Sequence, residues 1–431
     1  MTRISLIRRR FLKSLKCGTG EAYLIAKKNP EIDFSDEIIQ GALNNYAYHG
    51  QVEGDRAQYI YDLIVISNQK EKIRKAVLNG LATETEDTWN LTHLFAITKL
   101  FSEQDDVEAK QAIYNRFLQN PIASSDWAGY DEILQLDGFD GLLFIAKKFG
   151  KLLEQNPDDW QDDSIIRQFQ EENPNIKVQE DLLKASKTDK YIRIYLDSVK
   201  ENQEIRKKYK PKTIQYHNIV DEVINSKPYM TARRRKKLTK EEVNEIAKQL
   251  TIETDNTKIA KLLNIFIFHK FPYDSTLILK FAQQKQSFNY KIVQYATEAL
   301  QHLESDNIRT FALEQINNSK NPIDYLQILI SNYRVGDHKM LTDIAKKTRS
   351  GFKIEQLAII FSDIFKANKT KACKEPIEVL YSKMNCAIHR KELIEILIEN
   401  SALSKKIIQE IQFDSYLETR QLHEEIKNSL Q

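Results

Sequence analysis

The segment Ile292-Val293-Gln294-Tyr295-Ala296-Thr297-Glu298-Ala299-Leu300-Gln301-His302-Leu303 is followed by Glu304-Ser305-Asp306-Asn307 and then by Ile308-Arg309-Thr310-Phe311-Ala312-Leu313-Glu314-Gln315-Ile316. In the first stretch Ile292, Val293, Tyr295, Ala296, Ala299, Leu300 and Leu303 advance by threes and fours, which places them on one stripe of an α-helix. Ile308, Phe311, Ala312, Leu313 and Ile316 make a second stripe. Ser305 and Asp306, in the polar loop between them, can cap the second helix by accepting its free backbone N–H groups. Asn317-Asn318-Ser319-Lys320-Asn321-Pro322 then supplies turn residues and a proline. Two amphipathic helices joined by so short a loop predict a helical hairpin.

The unit recurs. Lys72-Ile73-Arg74-Lys75-Ala76-Val77-Leu78-Asn79-Gly80-Leu81 lines up with Asn307 to Ile316: Ile-Arg at the start, small or apolar residues in the middle, Leu or Ile at the close. This Ile-Arg…Ala-Leu pattern resembles the second-half signature of HEAT-like repeats, most clearly over residues 60–120 and 285–400. The resemblance implies an all-α fold, a superhelical α-solenoid of HEAT-like antiparallel helix hairpins. It also implies a long concave surface offered to another macromolecule. A lone hairpin cannot bury its apolar face, whereas stacked hairpins build a continuous core.

Composition agrees with helices. Of 431 residues only 12 are glycine and 9 proline, where average usage would give roughly 30 and 22. So few breakers leave little room for the tight turns of a sandwich or a doubly wound sheet. Apolar residues at 41% are enough for a core. The 64 basic and 61 acidic residues nearly balance, so overall charge selects no partner. Three cysteines are too few for a disulfide framework, and a reducing, cytoplasmic setting is expected. No apolar run approaches the ~18 residues of a membrane span, and the basic opening Met1–Lys16 has the spacing of an amphipathic first helix.

The middle departs from the pattern. Residues 155–175 are acidic and loop-like, and residues 186–240 hold 16 Lys or Arg against 6 Asp or Glu. The division expected is an N-terminal lobe over 1–200, a basic linker or arm over 201–238 and a C-terminal lobe over 239–431. Lys207, Lys208, Lys210, Arg233, Arg234, Arg235, Lys236 and Lys237, interleaved with Tyr209, Tyr216 and Tyr229, could contact phosphates and stack bases. The plainer reading is a solvated linker.

Four other places carry chemistry-bearing groups. Lys16-Cys17-Gly18-Thr19-Gly20 could present backbone N–H groups to an anion, but lacks the Lys-Ser/Thr pair of a phosphate loop and reads as a turn. His49, Glu53 and Asp55, beside Arg56, could serve acid–base chemistry, or could simply order a loop. Trp127, Tyr130, Asp131, Asp137 and Asp140 alternate rings with carboxylates, a composition suited to a partner-binding hot spot. Certain HEAT-like DNA glycosylases that act on alkylated bases use the same residue types, but their motif is absent. Cys373, Cys386 and His389 lack a fourth zinc ligand nearby, and Cys386 reads as a core residue. No metal site and no cofactor is assigned, since neither a Gly-x-Ser-x-Gly elbow, a His-Glu-x-x-His motif nor a dinucleotide fingerprint occurs.

The sequence is therefore read as a non-catalytic scaffold or adaptor that binds a protein partner through Trp127, Tyr130, Asp131, Asp137 and Asp140. The alternative is nucleic-acid binding, with or without base excision. Nothing in the chain indicates an oligomeric state.

Overall fold

A computed structural model describes residues 2–48, 50–53, 56–120, 128–159, 161–208, 215–284 and 286–429. All regular elements among them are helices, and none is long and apolar enough to cross a membrane. The chain forms two compact units, Met1–Lys212 joined by Ile408–Gln431, and Thr213–Ile407. The expected all-α class holds.

Both helices read from Ile292 to Ile316 are present, but they do not pack as a pair: the first lies chiefly against Asn256–Phe266 and Thr276–Ala282. The helix Gln286–Ala299 runs through a 3-10 turn at Leu300–His302, and Asp306–Asn318 is the second helix. Ser305 caps the latter, its hydroxyl accepting from the Ile308 N–H at 3.2 Å. Ile292, Ala296, Leu300, Ile308 and Ala312 are buried, as the stripes require. Capping recurs at several other helix starts along the chain. Asp87, Asp106, Asn218 and Asp255 each accept from their own first turn, and Thr239 and Glu242 form a capping box.

The aligned stretches do the same job in the two units. Ile73, Val77 and Leu81 are buried in the first unit; Ile308, Ala312 and Ile316 are buried in the second. Arg74 then reaches the start of the helix Val107–Leu118, donating Nε to Asp106 Oδ2 at 2.5 Å and Nη2 to Oδ1 at 2.8 Å. Arg309 reaches the start of Asp337–Lys347, donating to both Asp337 oxygens at 2.8 Å. Each planar guanidinium ties its own helix to the start of a later one, in the fork geometry that makes such bonds strong. Further charged links join positions 27 to 36 residues apart, among them Lys110 to Asp137, Lys346 to Glu375 and Lys190 to Glu154.

The Arg74–Asp106 clasp gives a test. The Arg74 hydrogen bond holds the Asp106 carboxyl below its ordinary range. Because the folded value is depressed, the stabilisation is complete above the ordinary carboxylate pKa and disappears as pH falls through the folded value, below about pH 4. Asp106→Asn keeps the helix cap but loses the ionic clasp, and should cost about 1–2 kcal/mol at neutral pH. It should also flatten the acid limb of a thermal-unfolding titration, and an unchanged acid limb would dismiss the clasp.

Burial in the first unit runs without a break from Phe11 and Leu15 through Ile60, Ile97 and Phe117 to Phe149 and Tyr195. Each such side chain contributes about 1.5–3 kcal/mol when removed from water. Several helices depart from the sequence reading. Ser164–Glu172 forms inside the acidic stretch, with Ile166 and Phe169 buried. Lys190–Lys208 is a helix of 19 residues where a transition to a basic arm was expected. Its narrow stripe of Ile192, Tyr195 and Val199 is buried under a charged outer face. Residues 232–235 of the expected arm form a short helical turn capped by Thr231.

Candidate functional site

The carboxylates expected to line a partner surface in the first unit are largely engaged within it. Tyr130–Gln155 is one long helix broken at Gly138, whose backbone turns to φ 54°, ψ −125°. The break adjoins Asp137. It brings Asp137 against Lys110 Nζ at 2.6 Å and the Tyr114 hydroxyl, and these bonds hold its carboxyl below the usual range despite partial burial. Burial raises the Asp131 carboxyl, which accepts from Gln168 Nε2 at 2.8 Å. The Tyr130 hydroxyl donates to the same Gln168 at 3.3 Å. Asp140 alone of the three carboxylates is exposed, and Trp127 lies outside the described residues.

The loop around residue 50 is also internally satisfied where described. Glu53 and Arg56 are paired at 3.3 Å with both side chains under 5% exposed, and Arg56 Nη1 donates to the Lys16 carbonyl at 2.6 Å. Glu53 is thus a clamp and not a solvent-accessible acid. Trp89, 45% exposed, lies over Gly50. His49 and Asp55 lie outside the described residues. The glycine loop at Gly18 and Gly20 seats the returning C-terminal segment: Ser415 N donates to the Gly18 carbonyl at 2.8 Å.

The basic cluster is divided. Arg234 bridges Glu222 at 3.2 Å and Glu242 at 2.7 Å. Arg235 donates to Asn264 and lies over the Phe268 ring at 4.8 Å. Arg233, Lys236 and Lys237 remain exposed. Lys207 and Lys208 close the helix Lys190–Lys208, and Lys210 lies outside the described residues.

The second unit holds a site that sequence reasoning missed. A cavity of about 210 Å³ opens between the helices Gln286–Ala299, Ile323–Leu326 and Gly351–Ala367. Val293, Ile323 and Ile360 form apolar wall; Gln294, Gln327 and Gln356 supply amides; Glu298 and Asp324 supply carboxyls. Desolvation raises both carboxyls, the deeper Glu298 against the modest opposing pull of Arg235 and the Asp324 at the mouth against that of Lys353. Glu298 accepts from Gln294 Nε2 at 2.9 Å. Among the described residues neither carboxylate has a cation within ion-pair distance. The Thr297 hydroxyl, on a residue 4% exposed, also lines the cavity and has no partner among the described residues. Tyr290, Phe352 and Ile359 are exposed beside it: Tyr290 lines the cavity, while Phe352 and Ile359 flank Gln356 along one helix face.

A second cluster lies on the other side of Gly351–Ala367. Glu355, Cys386 and His389 bring their ligand atoms within 4.8 Å of one another. Sequence reading paired Cys386 and His389 with Cys373 and found no further ligand; the structure supplies Glu355. Cys373 is not a member, and burial pushes its thiol up to about 11, as expected of an inert core cysteine.

The fold and site define a class by their chemistry: an all-helical protein of two units, one carrying an acid-lined pocket with an apolar rim. Comparison with protein-family models, curated proteins and solved structures returned no match.

Proposed function

We propose that this protein is a non-catalytic scaffold of stacked HEAT-like hairpins that binds a protein partner, taking a basic side chain of that partner into the pocket of Glu298 and Asp324. The corresponding Arg74 and Arg309 clasps support the repeated-hairpin reading. The observation that carries the binding reading is a pair of carboxyls on one cavity, Glu298 half-buried and Asp324 exposed at its mouth, with no cation within ion-pair distance of either among the described residues. An entering ammonium or guanidinium favours the ionised form of both and donates to their carboxyl oxygens. The amides and the Thr297 hydroxyl complete its hydrogen bonding. At about 210 Å³ the cavity suits one long side chain, below the roughly 300–1,000 Å³ of drug- and cofactor-sized sites. Tyr290, Phe352 and Ile359 give the flanking backbone of the partner an apolar seat, the arrangement of an interface hot spot.

An acid-lined pocket repels phosphate, and Arg234 and Arg235 are spent inside the fold, so both features favour a protein partner over nucleic acid. The test is a peptide array probed with the full chain and with the Glu298→Gln, Asp324→Asn double variant. The expected result is that peptides retained by the parent chain carry a Lys or Arg whose replacement by norleucine abolishes binding. The double variant should lose roughly 2–5 kcal/mol of affinity for them. Retention that ignores the basic residue, or survives the double substitution, would overturn the assignment.

A further inference from the structure

We infer that Glu355, Cys386 and His389 form a zinc site with one exchangeable coordination position. Cys386 is the N-cap of the helix Ala387–Glu399, in extended backbone conformation, and His389 follows on its first turn. The three-residue step places thiol and imidazole on the same side of the helix start. The neighbouring helix Gly351–Ala367 packs against this one and contributes Glu355. His389 Nδ1 stands 3.1 Å from Cys386 Sγ and 3.3 Å from Glu355 Oε1.

These separations can be compared with what a metal demands. Zinc bonds of ~2.3 Å to sulfur and ~2.0–2.2 Å to nitrogen or oxygen, at tetrahedral angles, hold ligand atoms roughly 3.3–3.6 Å apart. One observed distance falls in that range and the other is a few tenths of an ångström short. A hydrogen-bonded relay is a poorer account. In a nucleophile–His–acid triad the ring uses both nitrogens, one toward each partner. Here sulfur and carboxylate meet the same nitrogen, and one ring nitrogen carries at most one hydrogen. Three donor atoms of ligand type gathered within 4.8 Å of one another can close round one ion.

The donor set selects the metal. Thiolate and imidazole disfavour calcium and magnesium and suit zinc. Cys386 is 4% exposed, whereas the His389 and Glu355 side chains keep 17% and 25% of their surface. The thiolate is therefore covered, and the solvent-facing side of the cluster leaves the fourth position to water. Three protein ligands with one exchangeable position is the open form of zinc coordination. The site does not depend on the peptide reading of the neighbouring pocket.

The experiment uses the full-length chain, loaded with zinc, passed over a weak chelator and assayed for bound metal. One zinc per chain is expected. Cobalt should bind in its place with intense visible d–d bands and a near-ultraviolet thiolate charge-transfer band. Cys386→Ser should abolish that band, and His389→Ala should abolish stoichiometric binding. Glu355→Gln preserves shape and reads the carboxylate even where another variant fails to fold. It should weaken zinc by more than the roughly 10–100-fold seen on altering a metal's outer shell. Cys373→Ser should change nothing. Absence of stoichiometric zinc in the parent chain, undiminished zinc in Cys386→Ser, or loss on Cys373→Ser overturns the assignment.

Discussion

Gly150→Ala should destabilise the first unit by about 3 kcal/mol, near the upper end of the usual overpacking range. Gly150 is buried in the second half of the helix Tyr130–Gln155, which packs against Lys190–Lys208. A methyl group there would overlap the Tyr191 carbonyl oxygen and stand 2.9 Å from Tyr191 Cα. The obstacle is backbone, so no rotamer change relieves it. The two helices have to separate, and the contact of the Phe149 and Tyr195 rings at 5.9 Å opens with them. Alanine is worth about 1 kcal/mol over glycine inside a helix, so any net loss understates the clash. Gly80→Ala is the control, with the same helix propensity gained. Its methyl would meet only the side-chain tips of Leu43 and Leu94, which can turn aside. Urea denaturation followed by helical circular dichroism should place Gly150→Ala far below Gly80→Ala; equal midpoints would contradict this packing.

How much of this was legible beforehand depends on the range of the interaction. Ser305 was readable as a cap and Ile73-Arg74 as the counterpart of Ile308-Arg309, because a cap and an apolar stripe are set within a few residues. Lys190–Lys208 was missed because three buried residues, Ile192, Tyr195 and Val199, are diluted by lysine, arginine and glutamate. Tertiary cover stabilises that helix more than its own pattern announces. The pocket was illegible for a different reason. Gln294 and Glu298 look like an ordinary polar stripe, and only the approach of two later helices, carrying Asp324 and Gln356, makes them the wall of a cavity. Glu355 lies 34 positions before His389, beyond any local ligand spacing. A Cys-x-x-His at a helix start, with a carboxylate on the α-helix two before it, is the signal that could have found it.

Gly20→Ala should release the C-terminal segment while the remaining helices stay folded. Residues 408–431 belong to the first unit although they close the chain, a return that a short-range pattern does not announce. The segment is seated on the first turn between helices. Ser415 N donates to the Gly18 carbonyl at 2.8 Å, the Phe413 ring stacks on Tyr23 at 4.1 Å, and Arg420 reaches Asp62 at 2.8 Å. Asp414 is wholly buried, so the docking is tight enough to exclude water. The two glycines are what permit it. Gly18 holds φ at 72°, a left-handed turn that ends the helix Arg3–Cys17. At Gly20 an added methyl would overlap the Glu410 carbonyl oxygen and stand 3.0 Å from the Phe413 carbonyl carbon. Again the obstacle is backbone, and the segment's own contacts cannot survive the displacement. A loss of about 3 kcal/mol in local opening corresponds to on the order of a hundredfold faster cleavage of residues 405–431 under limited proteolysis. A chain truncated after residue 407 provides the second arm. If Gly20 serves to seat the segment, Gly20→Ala costs little once the segment is gone. If the cost persists in the truncated chain, the glycine acts on its own turn and the docking argument fails.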